Sequence, residues 1–77
     1  MLFKKNEKKE ELKRAIKATR CELAERRKED REWIDQFVKE TDPEIARALI
    51  ICIRKRAERT YLLETKLEVM NAQYKTL

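Results

Sequence analysis

The stretch Thr41-Asp42-Pro43-Glu44 divides the chain into two segments with the composition of helices. It holds the only proline of the sequence, and the sequence contains no glycine. Proline suits the first turn of a helix, where its missing N–H donor is not needed. It also disfavours helical backbone at the residue before it. The stretch therefore predicts that one helix ends before it and that a second helix begins within it.

Two residues compete as the N-cap of the second helix. Asp42 directly precedes Pro43, so Asp42 is the cap if the proline is the first helical residue. Thr41 is the alternative, because Thr41 and Glu44 have the spacing of a capping box. Both alternatives begin the helix within about one residue of the same place.

Apolar residues recur at helical spacing on both sides of this stretch. The first stripe is Leu12, Ile16, Leu23, Ile34, Phe37 and Val38, and the second is Ile45, Leu49, Cys52, Ile53, Leu63, Leu67, Met70 and Tyr74. Docking the stripes antiparallel places Ile34 opposite Leu49. We therefore predict an all-α, antiparallel two-helix hairpin with helices over about residues 6–39 and 43–73. It forms a single domain over residues 1–77, in which residues 1–5 are frayed.

Each stripe has a polar centre. The same docking places Arg27 opposite Arg56, with Asp30 one turn away on the first helix. We predict a cluster of Arg27, Asp30 and Arg56 that fixes the register of the hairpin more than it adds stability. The alternative is that all three side chains extend into water, as long charged side chains often do.

The chain is short, and its apolar residues are not all used by the two stripes. A chain of 77 residues buries only about 60% of its unfolded surface, so oligomerisation or a partner is the usual source of further stability. We predict a homo-oligomer, such as a dimeric four-helix bundle of the coiled-coil type, or docking on another protein. The predicted interface consists of Trp33, Ile50, Ile51, Tyr61, Leu62 and Val69. The alternative is scattered exposed apolar side chains, which are common.

The net charge of +5 arises in residues 1–20, which hold eight basic and three acidic residues. Three interpretations stay open: a solvated helix end, a nucleic-acid contact, or a membrane-surface helix, for which the apolar face is weak. The residues predicted for a nucleic-acid contact are Lys4, Lys5, Lys8, Lys9, Lys13, Arg14 and Lys17.

Several function classes lack the residues that they require. The chain has no histidine and no glycine-rich phosphate loop, and Cys21 and Cys52 do not have the spacing of metal ligands. No apolar run approaches the ~18 residues of a membrane span. Met1-Leu2-Phe3 is followed by lysines and lacks the apolar region expected of a signal peptide. We therefore predict a non-enzymatic, cytoplasmic protein with reduced cysteines, without cofactor, metal or small-molecule substrate.

Residues 33–66 resemble a known family. The residues that carry the resemblance are Trp33, the run Phe37-Val38-Lys39-Glu40-Thr41-Asp42-Pro43-Glu44-Ile45, then Ile50 and Ile53, and finally Ala57-Glu58-Arg59 with Tyr61-Leu62-Leu63. In this part the chain resembles the YaaL-like family of short, uncharacterised bacterial proteins. The resemblance implies a small cytoplasmic bacterial protein without assigned chemistry, and it supplies no catalytic residues.

Overall fold

The protein is a hairpin of two long α-helices. The computed structural model describes residues 2–77, with side chains from residue 6 onward. Helix α1 runs over Leu2–Lys39 and helix α2 over Pro43–Thr76. Contacts such as that of Lys9 with Tyr74 show that the helices are antiparallel, and together they form a rod of 62 × 15 × 13 Å. The predicted all-α helical hairpin is confirmed.

Both helices extend beyond the predicted limits. Helix α1 begins at Leu2, whereas fraying was predicted for residues 1–5; Met1 lies outside the described residues. Helix α2 ends at Thr76 rather than near residue 73, and the Leu77 N–H donates to the Tyr74 carbonyl at 3.3 Å. Neither end contains glycine or proline, so no residue there has the low helix propensity that ends a helix.

The turn between the helices consists of residues 40–42. Asp42 has extended backbone (φ −80°, ψ 118°), as a residue before proline prefers, and its carboxylate accepts a hydrogen bond from the Glu44 N–H at 2.9 Å. The Glu40 carboxylate accepts from the Asp42 N–H at 3.1 Å. Of the two predicted caps, Asp42 is therefore the one that the structure uses.

The helices meet along positions that alternate in steps of three and four residues. On α1 these buried or half-buried positions are Lys9, Leu12, Ile16, Thr19, Leu23, Arg26, Asp30, Trp33 and Phe37, and Glu40 of the turn continues the series. On α2 they are Ala46, Leu49, Ile53, Arg56, Thr60, Leu63, Leu67, Met70 and Tyr74. Such spacing is the heptad repeat of an antiparallel coiled coil. We call this contact the seam.

The seam differs from the predicted stripes near the turn. Ile34, Val38 and Ile45, which were predicted to face the opposite helix, are exposed to 44%, 73% and 48%. Trp33 and Phe37 are half-buried in the seam instead. The prediction counted about 100° per residue along a straight helix, which drifts by about 20° per heptad from a repeat of 3.5 residues per turn. The drift misassigned the C-terminal half of α1.

The register of the helices also differs from the prediction. Arg56 was predicted opposite Arg27, but its guanidinium lies against Asp30. At this contact the helices are displaced by about three residues from the predicted docking, a little under one helical turn. Because a heptad seam keeps the same rows of residues facing the other helix along its length, this displacement changes which residues pair across the seam and leaves the exposed rows unchanged.

Candidate interaction surfaces

The centre of the seam is a polar network around Arg56. Its Nε donates to Asp30 at 3.0 Å, and its Nη2 donates to Glu29 at 2.7 Å. The other Asp30 carboxylate oxygen accepts from the Thr60 hydroxyl at 2.7 Å, and the Trp33 ring lies 5.6 Å from the guanidinium carbon. Among residues 6–77, no buried side-chain nitrogen or oxygen lacks a hydrogen-bond partner. The network therefore satisfies the charges that it places between the helices.

Arg56 remains charged in this setting. The hydrogen bond to Glu29 raises the pKa of the Arg56 guanidinium above its ordinary value, burial opposes that rise, and the bond to Asp30 and its charge reinforce it. A group whose pKa is raised by folding contributes stability that is fully present below its unfolded pKa and is lost as the pH rises through its folded pKa. For an arginine that loss lies at strongly basic pH, so Arg56 is no source of pH dependence near neutrality.

Arg27 does not join the network as predicted. Its Nη2 donates instead to Glu64 at 3.3 Å, and the two side chains are 54% and 42% exposed. The structure thus brings together two members of the predicted cluster, Asp30 and Arg56, and places the third on the surface. Its partner lies 37 residues away in the sequence, so finding it requires the true register.

Two flanks border the seam, and charge is sorted between them. We call the side that carries the Arg27–Glu64 pair the upper flank, and the opposite side, which carries Glu29, the lower flank. Heptad rows on either side of the seam assign further residues to each flank. Assigning residues to faces at 100° per residue does not separate these charges, whereas assigning them to heptad rows does.

The lower flank places an acidic helix beside a basic one. The α1 members are Lys8, Glu11, Ala15, Ala18, Glu22, Glu25, Glu29, Glu32, Gln36 and Lys39, and the α2 members are Ile45, Ala48, Cys52, Lys55, Arg59, Leu62, Lys66, Val69, Gln73 and Thr76. On α1 every charged member between residues 11 and 36 is a glutamate, and on α2 every charged member is basic. Arg59, Leu62 and Lys66 line a shallow groove of about 250 Å³ together with Arg26 and Leu63.

The upper flank carries the opposite charge on α1. Its α1 members are Glu10, Lys13, Lys17, Arg20, Ala24, Arg27, Arg31, Ile34 and Val38, and its α2 members are Arg47, Ile50, Arg54, Ala57, Tyr61, Glu64, Glu68, Asn71 and Lys75. Lys13, Lys17 and Arg20 line a groove of about 460 Å³ with Ile16, Asn71 and Tyr74. A basic groove with an aromatic ring in its wall is therefore present far from the turn.

The predicted partner residues do not form one surface. Trp33 and Ile50 are half-buried, Trp33 in the seam against Arg56. Ile51, Tyr61, Leu62 and Val69 are exposed to between 49% and 66%. Leu62 and Val69 belong to the lower flank, Tyr61 belongs to the upper flank, and Ile51 lies on the row of α2 farthest from α1. The heptad rows separate residues that the prediction had grouped.

The predicted nucleic-acid residues are likewise spread around α1. The side chains of Lys4 and Lys5 lie outside the described residues. Lys9 is half-buried, with its Nζ 5.2 Å from the centre of the Tyr74 ring. Lys8 lies on the lower flank, and Arg14 points away from α2. Lys13 and Lys17 are the predicted residues that share a groove, and Arg20 joins them there.

The described part of the chain offers no metal cluster or membrane-spanning helix. Cys21 and Cys52 are free and exposed, and among the described residues no three Cys, Asp or Glu side chains are grouped to hold a metal ion. Neither described helix has a stretch that is long and apolar enough to cross a membrane. The surfaces that carry chemical information are therefore the two flanks.

Comparison with known proteins leaves these surfaces to be interpreted from their own geometry. No protein-family model, no curated protein and no solved structure matches the chain. The resemblance to the YaaL-like family stays a prediction.

Proposed function

We propose that this protein is a non-enzymatic interaction module whose helical hairpin self-associates. The observation that carries the proposal is the balance of buried and exposed apolar side chains. Among residues 6–77 the buried hydrophobic residues are Ile16, Leu23 and Met70, whereas eight large hydrophobic residues are exposed. A core with so few buried large apolar side chains gives a small domain little stability by itself, which favours a protein partner.

The thin seam supports the same proposal. Two helices share one contact, and its most buried positions include the polar residues Thr19 and Thr60. A domain of this size obtains little stability from one hydrophobic core. Burying Leu62 and Val69 against a second copy would remove further apolar area from water at about 25 cal/mol per Å². Self-association thus supplies the stability that the isolated hairpin lacks.

The test is the mass of the full chain in solution over a range of protein concentrations. We expect sedimentation equilibrium to give a mass above the 9.4 kDa of one chain, and we expect the midpoint of thermal unfolding to rise with protein concentration, because association stabilises the folded state by mass action. A mass of one chain at every concentration, with a constant midpoint, would overturn the proposal.

A double variant adds a surface test. Replacing Ile51 and Leu62 with glutamate removes two exposed apolar side chains of α2 and should dissociate the assembly while far-UV circular dichroism stays helical. A matched control replaces two exposed polar residues of the same helix, Glu58→Gln and Thr65→Ser, and should leave the mass unchanged. An unchanged mass for the glutamate variant would show that assembly uses neither residue.

Nucleic-acid binding is the second candidate, and the basic groove of the upper flank favours it. Lys13, Lys17 and Arg20 converge there beside Tyr74, which combines phosphate-binding charge with a ring that can stack on a base. Binding to a short single-stranded RNA should weaken steeply with salt. The Lys13→Gln/Lys17→Gln variant should lower the salt slope by up to about 0.7 per lost phosphate contact.

The control for this candidate is Lys8→Gln/Arg14→Gln, which removes the same charge outside the groove. We expect this control to keep most of the affinity of the native chain. No binding at low salt, or equal losses in both variants, would exclude the groove as a nucleic-acid site.

A further inference from the structure

We infer that the partner of the lower flank is a second copy of this chain, packed face to face with both turns at the same end. This inference rests on the proposed self-association and adds the surface and the arrangement. It follows from the charge on the two helices of that flank, from the levels at which the charges lie, and from the apolar residues between them.

The charges of the lower flank are complementary across a two-fold axis. Between residues 11 and 36 the charged residues of its α1 side are all glutamates, and the charged residues of its α2 side are two lysines and an arginine. A two-fold axis along the rod places α1 of each copy over α2 of the other, so acidic rows meet basic rows. A two-fold axis across the rod places α1 over α1 and α2 over α2, so like charges meet, which costs binding energy. Charge therefore selects the axis along the rod.

The levels of the charges also match. The Asp30 carboxylate accepts a hydrogen bond from Arg56, and this contact gives the approximate level of each α1 residue relative to α2, that is, its position along the rod. Glu32 is then level with Lys55. By the same alignment, Arg59 is level with Glu25 and Glu29, and Lys66 is level with Glu22. An axis along the rod preserves these levels between copies, so each basic residue of α2 in one copy meets a glutamate of α1 in the other.

Apolar contacts occur between the charged levels. Val69 is 52% exposed and lies at the level of Ala15 and Ala18, whose small side chains leave room for a residue of the second copy. Leu62 lies between Arg59 and Lys66 and can pack on the methylene groups of partner glutamates. The rod measures 62 Å by 15 Å, a rectangle of roughly 900 Å², comparable with the about 800 Å² per partner of a standard interface.

The upper flank is a poorer fit for a second copy. Its α1 row between residues 13 and 38 carries only basic charges, and its α2 row carries Arg47, Arg54 and Lys75 besides its two glutamates. Face-to-face packing of upper flanks would bring mostly basic groups together, so the lower flank is the self-complementary surface.

The experiment reverses charge on one helix and then on both, with sedimentation equilibrium on the full chain as the readout. Glu25→Lys/Glu32→Lys alone and Lys55→Glu/Arg59→Glu alone should each weaken dimerisation about tenfold or more. All four changes in one chain should restore it, because reversed α1 again faces reversed α2. The upper-flank variant Lys17→Glu/Arg31→Glu changes the net charge by the same magnitude. It should leave the dissociation constant within about threefold of that of the native chain.

The outcomes separate this inference from the proposed function. If the native chain has the mass of one chain at every concentration, both fail. If the native chain assembles but single-helix reversal has no effect, or the fourfold variant does not recover, self-association stands and this arrangement is overturned. Circular dichroism at a protein concentration below the dissociation constant of the dimer shows whether each variant is still helical.

A second measurement does not depend on charge. In a Cys21→Ser/Cys52→Ser background, Ala18→Cys chains mixed with Val69→Cys chains should form disulfide-linked pairs, because the two positions meet across the inferred axis at the Cα separation of about 4.4–6.8 Å that a disulfide requires. Each chain alone should cross-link at least about tenfold less. Equal cross-linking in the mixture and in each variant alone would overturn the arrangement.

Discussion

The two halves of the hairpin are held together by different forces. The open half, residues 6–25 with 60–77, contains all five residues that are buried among residues 6–77, namely Ile16, Thr19, Leu23, Thr60 and Met70. The turn half, residues 26–59, has no buried residue. Its part of the seam carries Arg56, which donates hydrogen bonds to the carboxylates of Asp30 and Glu29. Burial therefore stabilises the open half, whereas polar geometry and the helix cap specify the alignment of the turn half.

This division has a physical basis. A buried charge pair adds little net stability, because desolvation offsets its attraction, but it penalises every register that separates the partners. The cap defines how α2 begins, the pair aligns the helices between the turn and the open half, and the apolar residues farther from the turn then meet in that register. Substitutions in the two halves should consequently differ in size and in what they change.

The largest effect is expected in the open half. Leu23 is 3% exposed, so Leu23→Ala should lower the free energy of unfolding by about 2–4 kcal/mol through lost burial and a cavity. Leu49→Ala makes the same chemical change at a half-buried seam position of the turn half and should cost about 1–2 kcal/mol. Urea denaturation of both at one protein concentration measures the difference. Equal losses would contradict the division of the hairpin.

The next effect concerns the polar centre. Asp30→Ala removes the acceptor shared by Arg56 and Thr60 and should cost roughly 1–3 kcal/mol, because two donors inside the seam lose their partner. Arg27→Ala breaks the exposed pair with Glu64 and should cost less than about 1 kcal/mol. Thermal unfolding at fixed concentration compares the two. A larger loss of stability for Arg27→Ala than for Asp30→Ala would contradict the inference that the polar centre aligns the helices.

Much of this architecture could be predicted from local sequence. Pro43 and the absence of glycine located the turn, and Leu49, Ile53 and Leu67 were correctly predicted to face α1. These features depend on neighbouring residues alone, because a proline acts on its own helix turn and a stripe repeats within one helix.

The surfaces could not be predicted in the same way, because they depend on how two helices wind together. Trp33 was predicted to be an outward residue and Val38 a seam residue, yet the heptad repeat reverses both. An angular error of about 20° per heptad accumulates to about 60° over three heptads, which is enough to move a residue from the seam to a flank. The sorting of charge between flanks is visible only after that correction.

A smaller effect is expected at the cap. The Asp42 carboxylate accepts a hydrogen bond from the Glu44 N–H, so Asp42→Ala should lower the free energy of unfolding by about 1 kcal/mol. Thr41→Ala, one residue away and exposed, should change it by less than about 0.5 kcal/mol. Denaturant titration of the two variants decides between the competing caps. Equal losses would indicate that Thr41 shares the capping role.

The smallest effect is expected at Val38, and it tests the heptad seam itself. Because Val38 is 73% exposed, Val38→Ala should change the free energy of unfolding by less than about 0.5 kcal/mol at a protein concentration where the chain is monomeric. Phe37→Ala removes the adjacent seam residue, which is half-buried, and should cost at least about 1.5 kcal/mol. If α1 instead followed a straight stripe, Val38 would face α2 and its truncation would carry a cost comparable to that at Phe37. A near-zero value at Val38 beside a large one at Phe37 requires the repeat of three and four residues, and only that repeat places the glutamates of α1 and the basic residues of α2 on one flank.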